Sequence, residues 1–118
     1  MALNYRWIAP EVATAGQLSP ADIAEAAQNG FRSVVNNRPD REGGPAQPTS
    51  ESIAEAASGA GVEYAFLPVQ SGFQTPQEIA RMRELLDTLP KPMLVFCRSG
   101  ARSSNLIRQA AMLPPAKR

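Results

Sequence analysis

Histidine is missing from all 118 residues of the chain. Without an imidazole, a Ser-His-Asp triad, a Cys-His pair and a His-ligated zinc site are excluded within it. Any chemistry must run on cysteine, arginine, carboxylates, hydroxyls and backbone amides. Cysteine occurs once, so no intramolecular disulfide can form and nothing calls for an oxidising compartment. Charge of one sign is not in excess. The net charge is +1, with both signs interspersed, which gives no basic stripe for nucleic acid or an anionic membrane. No apolar run approaches the ~20 residues that a membrane span needs. The opening MALNYRWIAPEV lacks the charged head and apolar middle of a signal peptide. These absences lead to the expectation of a cytoplasmic protein with no nucleic-acid or membrane partner.

What remains suits a folded chain. Hydrophobic residues make up 43%, too many for disorder, and the length fits one domain over residues 1–118 with a core of its own. SPADIAEAAQNG reads as a helix, with Ser19 as cap, Pro20 at the first helical position, Asp22 near the positive end of the dipole and Gly30 as a stop. TPQEIARMRELLDTLP opens with a capping-box pattern of Thr75 and Glu78, and Ile79, Met82, Leu85 and Leu86 recur at helical spacing as a core face. TSESIAEAASGAG gives a weaker helix, limited by Gly59 and Gly61.

Each of these is followed by a short apolar run, FRSVVN, EYAFLPV or PMLVFC, that reads as a strand. VATAG, residues 12 to 16, is expected at a sheet edge. Alternation at this pitch implies an α/β fold with a mainly parallel sheet flanked by helices. NNRPDREGGPAQP, residues 36 to 48, is a Pro/Gly-rich loop whose length points to function. Tyr5, Trp7 and Phe66 have no special spacing and read as packing.

The chemistry concentrates in MLVFCRSGARSS, residues 93 to 104. In an open α/β sheet, ligands bind at the carboxyl ends of the strands. Strand MLVF delivers Cys97 to that edge, and a helix is expected from Ser103 through SNLIRQAAM. The amides of the intervening loop and the helix dipole favour a thiolate. Arg98 and Arg102 flank the same space, Ser99 and Ala101 add backbone donors, and Gly100 allows close approach. A lone cysteine after an apolar strand is usually an inert core thiol, but such a thiol has no use for two arginines, a glycine and two serines in succession. Ser103 is open to two roles, donor to the thiolate or helix cap.

CRSGARS closely resembles the active-site loop of rhodanese sulfurtransferases. Roughly residues 10 to 110 resemble a bacterial family of beta-lactamase hydrolase-like proteins, also described as sulfur transferases. Its fold is similar to that of dual-specificity phosphatases. The resemblance implies Cys97 as nucleophile and Arg102 as anion-binding partner, with no cofactor. Members are sometimes fused to a metallo-beta-lactamase-like domain. That portion is not matched here, so no metal site is carried over, and a separate protein of that fold is a candidate partner.

Loop length bears on the choice between sulfur and phosphorus. Cysteine phosphatases place five residues between cysteine and arginine. Here four lie between Cys97 and Arg102, with Ser103 at the phosphatase arginine's place and Phe96 where those enzymes carry histidine. The general-acid aspartate is also replaced, by Gln70 and Ser71. These departures favour a sulfurtransferase, which moves sulfur from a small anionic donor to a thiol acceptor through a persulfide on Cys97. A cysteine-dependent phosphatase is the alternative, and a non-catalytic anion-binding or docking module is a third reading. Asn37, Arg38 and Asp40 are expected behind the loop, Arg38 and Asp40 as a bracing pair, with Asp40 the nearby candidate for a surrogate acid.

Overall fold

The computed structural model describes residues 3–115. The chain opens with strands β1 (Arg6–Ala9) and β2 (Val12–Ala15), followed by helix α1 (Pro20–Gln28) and strand β3 (Ser33–Asn36). It continues with α2 (Ser50–Ala60), β4 (Glu63–Phe66), α3 (Pro76–Thr88), β5 (Met93–Phe96) and α4 (Ala101–Ala111). The sheet order is β1-β2-β5-β3-β4, with β1 antiparallel to β2 and the other pairs parallel. This is the α/β architecture anticipated from helix-strand alternation, with β5 at its centre.

The central strand explains the layers. Leu94 and Phe96 point to a core shared with Ile23 and Ala26 of α1 and Ile53 and Ala57 of α2. Met93 and Val95 point the other way, to Met82 and Leu85 of α3 and Leu106, Ile107 and Ala110 of α4. Alternate side chains of a strand face opposite sides, so a strand covered on both faces must be apolar throughout, as MLVF is. All four of its residues are 0% exposed, and truncating one, as in Leu94→Ala, costs about 2–5 kcal/mol of stability through lost transfer energy and an unfilled cavity.

The helix boundaries follow local chemistry. Ser19 accepts from the Asp22 amide while the Asp22 carboxylate accepts from that of Ser19, and Thr75 and Glu78 repeat this exchange at α3. Each cap contributes about 1 kcal/mol. The second helix runs through Gly59 and stops only at Gly61, whose backbone is left-handed, so Gly59 does not limit it.

Three other expectations need correction. VATA is an inner strand between β1 and β5; the edge is the RWIA strand, too short and mixed to stand out. Helix α4 begins at Ala101, not Ser103, which draws Arg102 and Ser103 into its first turn. Of the three aromatics read as packing, Phe66 is 40% exposed and outside both cores; Trp7, though 51% exposed, does pack, stacking on Phe31 with 5.4 Å between ring centroids, and Tyr5 meets both edge-on.

Candidate active site

Parallel pairing places the cysteine. Phe96 pairs with Ala15 on one side and Asn36 on the other. The Cys97 amide then donates to the Ala15 carbonyl at 3.3 Å, and the Asn37 amide to that of Phe96 at 2.8 Å. Cys97 therefore emerges at the carboxyl edge of the sheet, between the ends of β2 and β3, where ligand sites of open α/β sheets lie. It is 1% exposed and lines a cleft of ≈ 790 Å³ together with Arg38, Glu42, Ser71, Arg98 and Arg102.

The turn into α4 is built around the sulfur. Gly100 has φ +96, a left-handed conformation that costs other residues strain, and its amide donates to Cys97 Sγ at 3.1 Å. No side chain caps α4. Its first-turn amides have no carbonyl within the helix to serve, and the sulfur takes the place of the cap. Burial pushes the Cys97 thiol up, but the amide and hydroxyl of Ser103 and the amides of Ser99 and Gly100 outweigh it. The result lies below the ordinary thiol range, toward thiolate.

Ser103 is 0% exposed and sits inside the first turn, so it is not the helix cap. Its hydroxyl donates to Asn37 Oδ1 at 2.8 Å. The Asn37 amide group is fixed in turn by donating to the Leu67 carbonyl at 2.9 Å, which keeps Oδ1 toward the serine. One hydroxyl proton thus has two acceptors, Asn37 and the sulfur, and the amides carry most of the thiolate's stabilisation.

Arg102 is almost enclosed, with a side chain 7% exposed. Its guanidinium grips Glu42 through two hydrogen bonds of 3.0 Å and donates to the Val69 carbonyl at 3.0 Å. Its Nε is buried with no hydrogen-bond partner among the described residues. Glu42 also takes a bond of 2.9 Å from Arg38 Nε, and Arg38 reaches Gln17 at 3.1 Å. The Arg102 hydrogen bonds hold the Glu42 carboxyl below the usual carboxylate range against the effect of burial, and Arg38 adds to the lowering.

The expected Arg38–Asp40 brace is therefore corrected to Arg38–Glu42. Asp40 instead accepts from the Ser50 amide at 2.8 Å, at the start of α2. It does not line the cleft, so it is no surrogate acid. Glu42 is the residue that sequence reasoning missed; the only signal was its place in the loop of residues 36 to 48. Arg98 and Ser99 are exposed at the rim, and Ala101 lines the same cleft. Gln70 offers its backbone carbonyl to Gln74, and Ser71 lies in the wall.

A cysteine at the end of a central parallel strand, cradled by the next helix with an arginine in its first turn, defines the class: a protein with the fold of cysteine-dependent phosphatases. Solved structures agree. A "putative phosphatase" of Neisseria meningitidis superimposes with a TM-score of 0.75 at 32% identity, over 87% of this chain and 75% of that one. The core catalytic domain of a PP-IP phosphatase from S. cerevisiae gives a TM-score of 0.70 at 12% identity, over 91% of this chain and 64% of that one, a likeness of fold alone.

The chain belongs to the beta-lactamase hydrolase-like protein, phosphatase-like domain family, whose model matches residues 4–112. It is similar to beta-lactamase hydrolase-like proteins of Agrobacterium fabrum, at 34% identity, and Xylella fastidiosa, at 35%, over 92 residues in each. That is 78% of this chain and 21% of either relative, so it spans about a fifth of their length. By family and fold it is phosphatase-like. These findings favour the phosphatase alternative, and none supports the rhodanese reading of the loop. No helix among the described residues is long and apolar enough to cross a membrane.

Proposed function

We propose that the chain is a cysteine-dependent hydrolase of phosphate monoesters whose leaving groups depart without help from an acid. The observation that carries this reading is the buried, unpartnered Nε of Arg102, an arginine that lines the cleft holding the Cys97 sulfur. A charged donor without a partner is costly to bury, and an oxyanion bound at the thiolate satisfies it. In this reaction the Cys97 thiolate attacks phosphorus, the ester oxygen leaves with its electron pair, and water then cleaves the thiophosphate to phosphate and free thiolate. Arg102 opposes the charge on the transferring group, and the amides of Ser99, Gly100 and Ser103 stabilise the thiolate before attack and again when it leaves the thiophosphate. Ser71 donates a proton poorly, and Glu42 is held ionised by two arginines, so no side chain identified in the cleft serves as general acid. A leaving group that departs as a stable anion, as a phenolate does, therefore suits the site, and an aryl phosphate serves as its probe.

A second reading, sulfur transfer, is favoured by that same lack of an acid and by the four residues between Cys97 and Arg102. Here the thiolate attacks the outer sulfur of thiosulfate, the S–S bond breaks, sulfite leaves with the electron pair, and the persulfide passes to a thiol. One experiment separates the readings. The protein is given 4-nitrophenyl phosphate in one arm and thiosulfate in the other, followed by release of nitrophenolate and by intact mass. Turnover of the ester that is abolished by Cys97→Ser supports the hydrolase. One added sulfur on Cys97 with no ester turnover supports the transferase. Neither result, with Cys97 still alkylated in the folded protein, leaves the docking module, for which a metallo-beta-lactamase-fold protein remains the proposed partner.

A further inference from the structure

The cysteine loop has a second cleft on its other side. The catalytic cleft opens toward the β3 side, with Arg38 and Glu42; a cleft of ≈ 500 Å³ opens toward β2 and the segment leading into β1. Ser99 and Ala101 line both, so the loop is a shared wall with the exposed Ser99 on its rim.

The charges of the second cleft are arranged unlike those of the first. Arg6 from β1 and Arg108 from α4 line it, with Asn4 beside them and no carboxylate in the lining. Both arginines are exposed, and neither has an ion pair among the described residues. In the catalytic cleft, by contrast, the carboxylate of Glu42 already engages two of the three arginines. Among the described residues, arginines without an ion pair therefore number two behind the loop, against Arg98 alone in the catalytic cleft, and the two behind it play no part in the reaction at Cys97. Arginine pairs planar, multi-oxygen anions through parallel hydrogen bonds, and two from different elements in one cleft suit a phosphate-sized group.

We infer that this cleft is a second anion subsite, and that the substrate is a small polyanion with one phosphoryl group at Cys97 and a further phosphate reaching over Ser99 to Arg6 and Arg108. The inference rests on the hydrolase reading for what lies at Cys97. The second subsite adds affinity and selects against substrates with a single anionic group. Because both arginines are open to solvent, its contribution falls as salt rises.

The test uses non-hydrolysable probes on the wild-type chain: α,ω-alkane bisphosphonates of increasing length, with butylphosphonate as the single-anion reference, measured by calorimetry. At one or more lengths the bisphosphonate should bind about tenfold or more tighter than butylphosphonate, the scale of two arginine–phosphate contacts in water. Arg6→Gln with Arg108→Gln should erase that advantage and change butylphosphonate affinity less than twofold. Arg6→Lys with Arg108→Lys should keep part of it. No advantage at any length, or one that survives the glutamine pair, overturns the subsite. Loss in the lysine pair equal to that in the glutamine pair, alongside an equal fall in Tm, also overturns it, because the arginines are then structural. Failure of the hydrolase reading is seen separately, as absent turnover of 4-nitrophenyl phosphate. If the bisphosphonate pattern holds without that turnover, the subsite stands and hydrolysis falls; if turnover holds without the pattern, the reverse.

Discussion

Replacing Glu42 by glutamine tests whether the carboxylate in the cleft braces Arg102 or merely neutralises it. The substitution keeps shape and one acceptor, removes the charge, and turns an N–H toward a guanidinium that offers only N–H groups. Arg102 and Arg38 are both largely enclosed, with side chains 7% and 10% exposed, whereas Glu42 is 29% exposed. Breaking a fully buried pair costs about 3–5 kcal/mol, and a hydrogen bond to a charged group is worth about 1.5–3 kcal/mol. Solvent at Glu42 screens the loss, which places it at roughly 1–2 kcal/mol, or about 4–8 °C in Tm for a chain of this size.

The kinetic effect should exceed the thermal one. A guanidinium released from its fork wanders by an ångström or more, and such misplacement costs on the order of 100-fold in turnover. KM for an aryl phosphate should stay level or fall, since the cleft loses its negative charge. The pH dependence has a fixed sign. Glu42 titrates lower in the folded chain than in the unfolded one, so the stability it contributes is fully present above the unfolded carboxyl pKa of about 4.3. That contribution is lost as pH falls through the folded value. The Tm gap between wild type and Glu42→Gln should therefore be constant at neutral pH and close below pH ~4. An unchanged kcat, or a Tm gap that persists at low pH, refutes the brace.

Two further outcomes bear on the sulfur itself. Iodoacetamide should alkylate Cys97 in the folded protein at pH values below those an ordinary thiol of pKa about 8.5 requires. Ser103→Ala should move that profile upward and cost about 1–3 kcal/mol by stranding Asn37 Oδ1, whereas an unmoved profile assigns the thiolate to the amides alone. Because the Cys97 thiol is held below its unfolded value, its contribution to stability is complete above pH ~8.5 and lost as pH falls through the folded value, so Cys97→Ser should flatten stability over that window. Gly100→Ala puts a β-carbon 3.4 Å from the Ala15 carbonyl carbon at φ +96; a loss of about 1–3 kcal/mol and slower alkylation are expected, and normal alkylation would mean that the strained turn does not aim the amide.

How much of this was legible in the sequence depended on the range of the interactions involved. The capping boxes at Ser19 and Thr75 are contained within four residues, and the buried strand MLVF announces itself by composition. The strand-loop-helix setting of Cys97 follows from the same local signals. The RWIA strand was hidden because a four-residue edge strand has no buried face of its own to impose alternation. The start of α4 was misplaced because its cap is a sulfur and a left-handed glycine rather than a side-chain oxygen, so the usual Ser or Thr signal pointed two residues too late.

The brace failed for a longer-range reason. Asp40 and Glu42 sit in the same polar loop, and spacing alone gives no ground for choosing between them. What chooses is the path of the backbone. After Pro39 the chain turns through Arg41, a non-glycine residue at φ +67, which throws Asp40 toward the start of α2 and Glu42 back toward the cleft. Gly43 then lets Arg38 fold across the loop, since a β-carbon there would lie 2.6 Å from Arg38 Nη2. The Gly43 amide and the Pro39 carbonyl are tied together through the Gln47 side chain, at 2.7 and 2.9 Å. Arg102 meets its carboxylate across 60 residues of sequence, a pairing that exists only once the turn is closed. The long Pro/Gly-rich loop thus sets the charge of the cleft, and the residue that carries the charge is selected by the turn, not by its type.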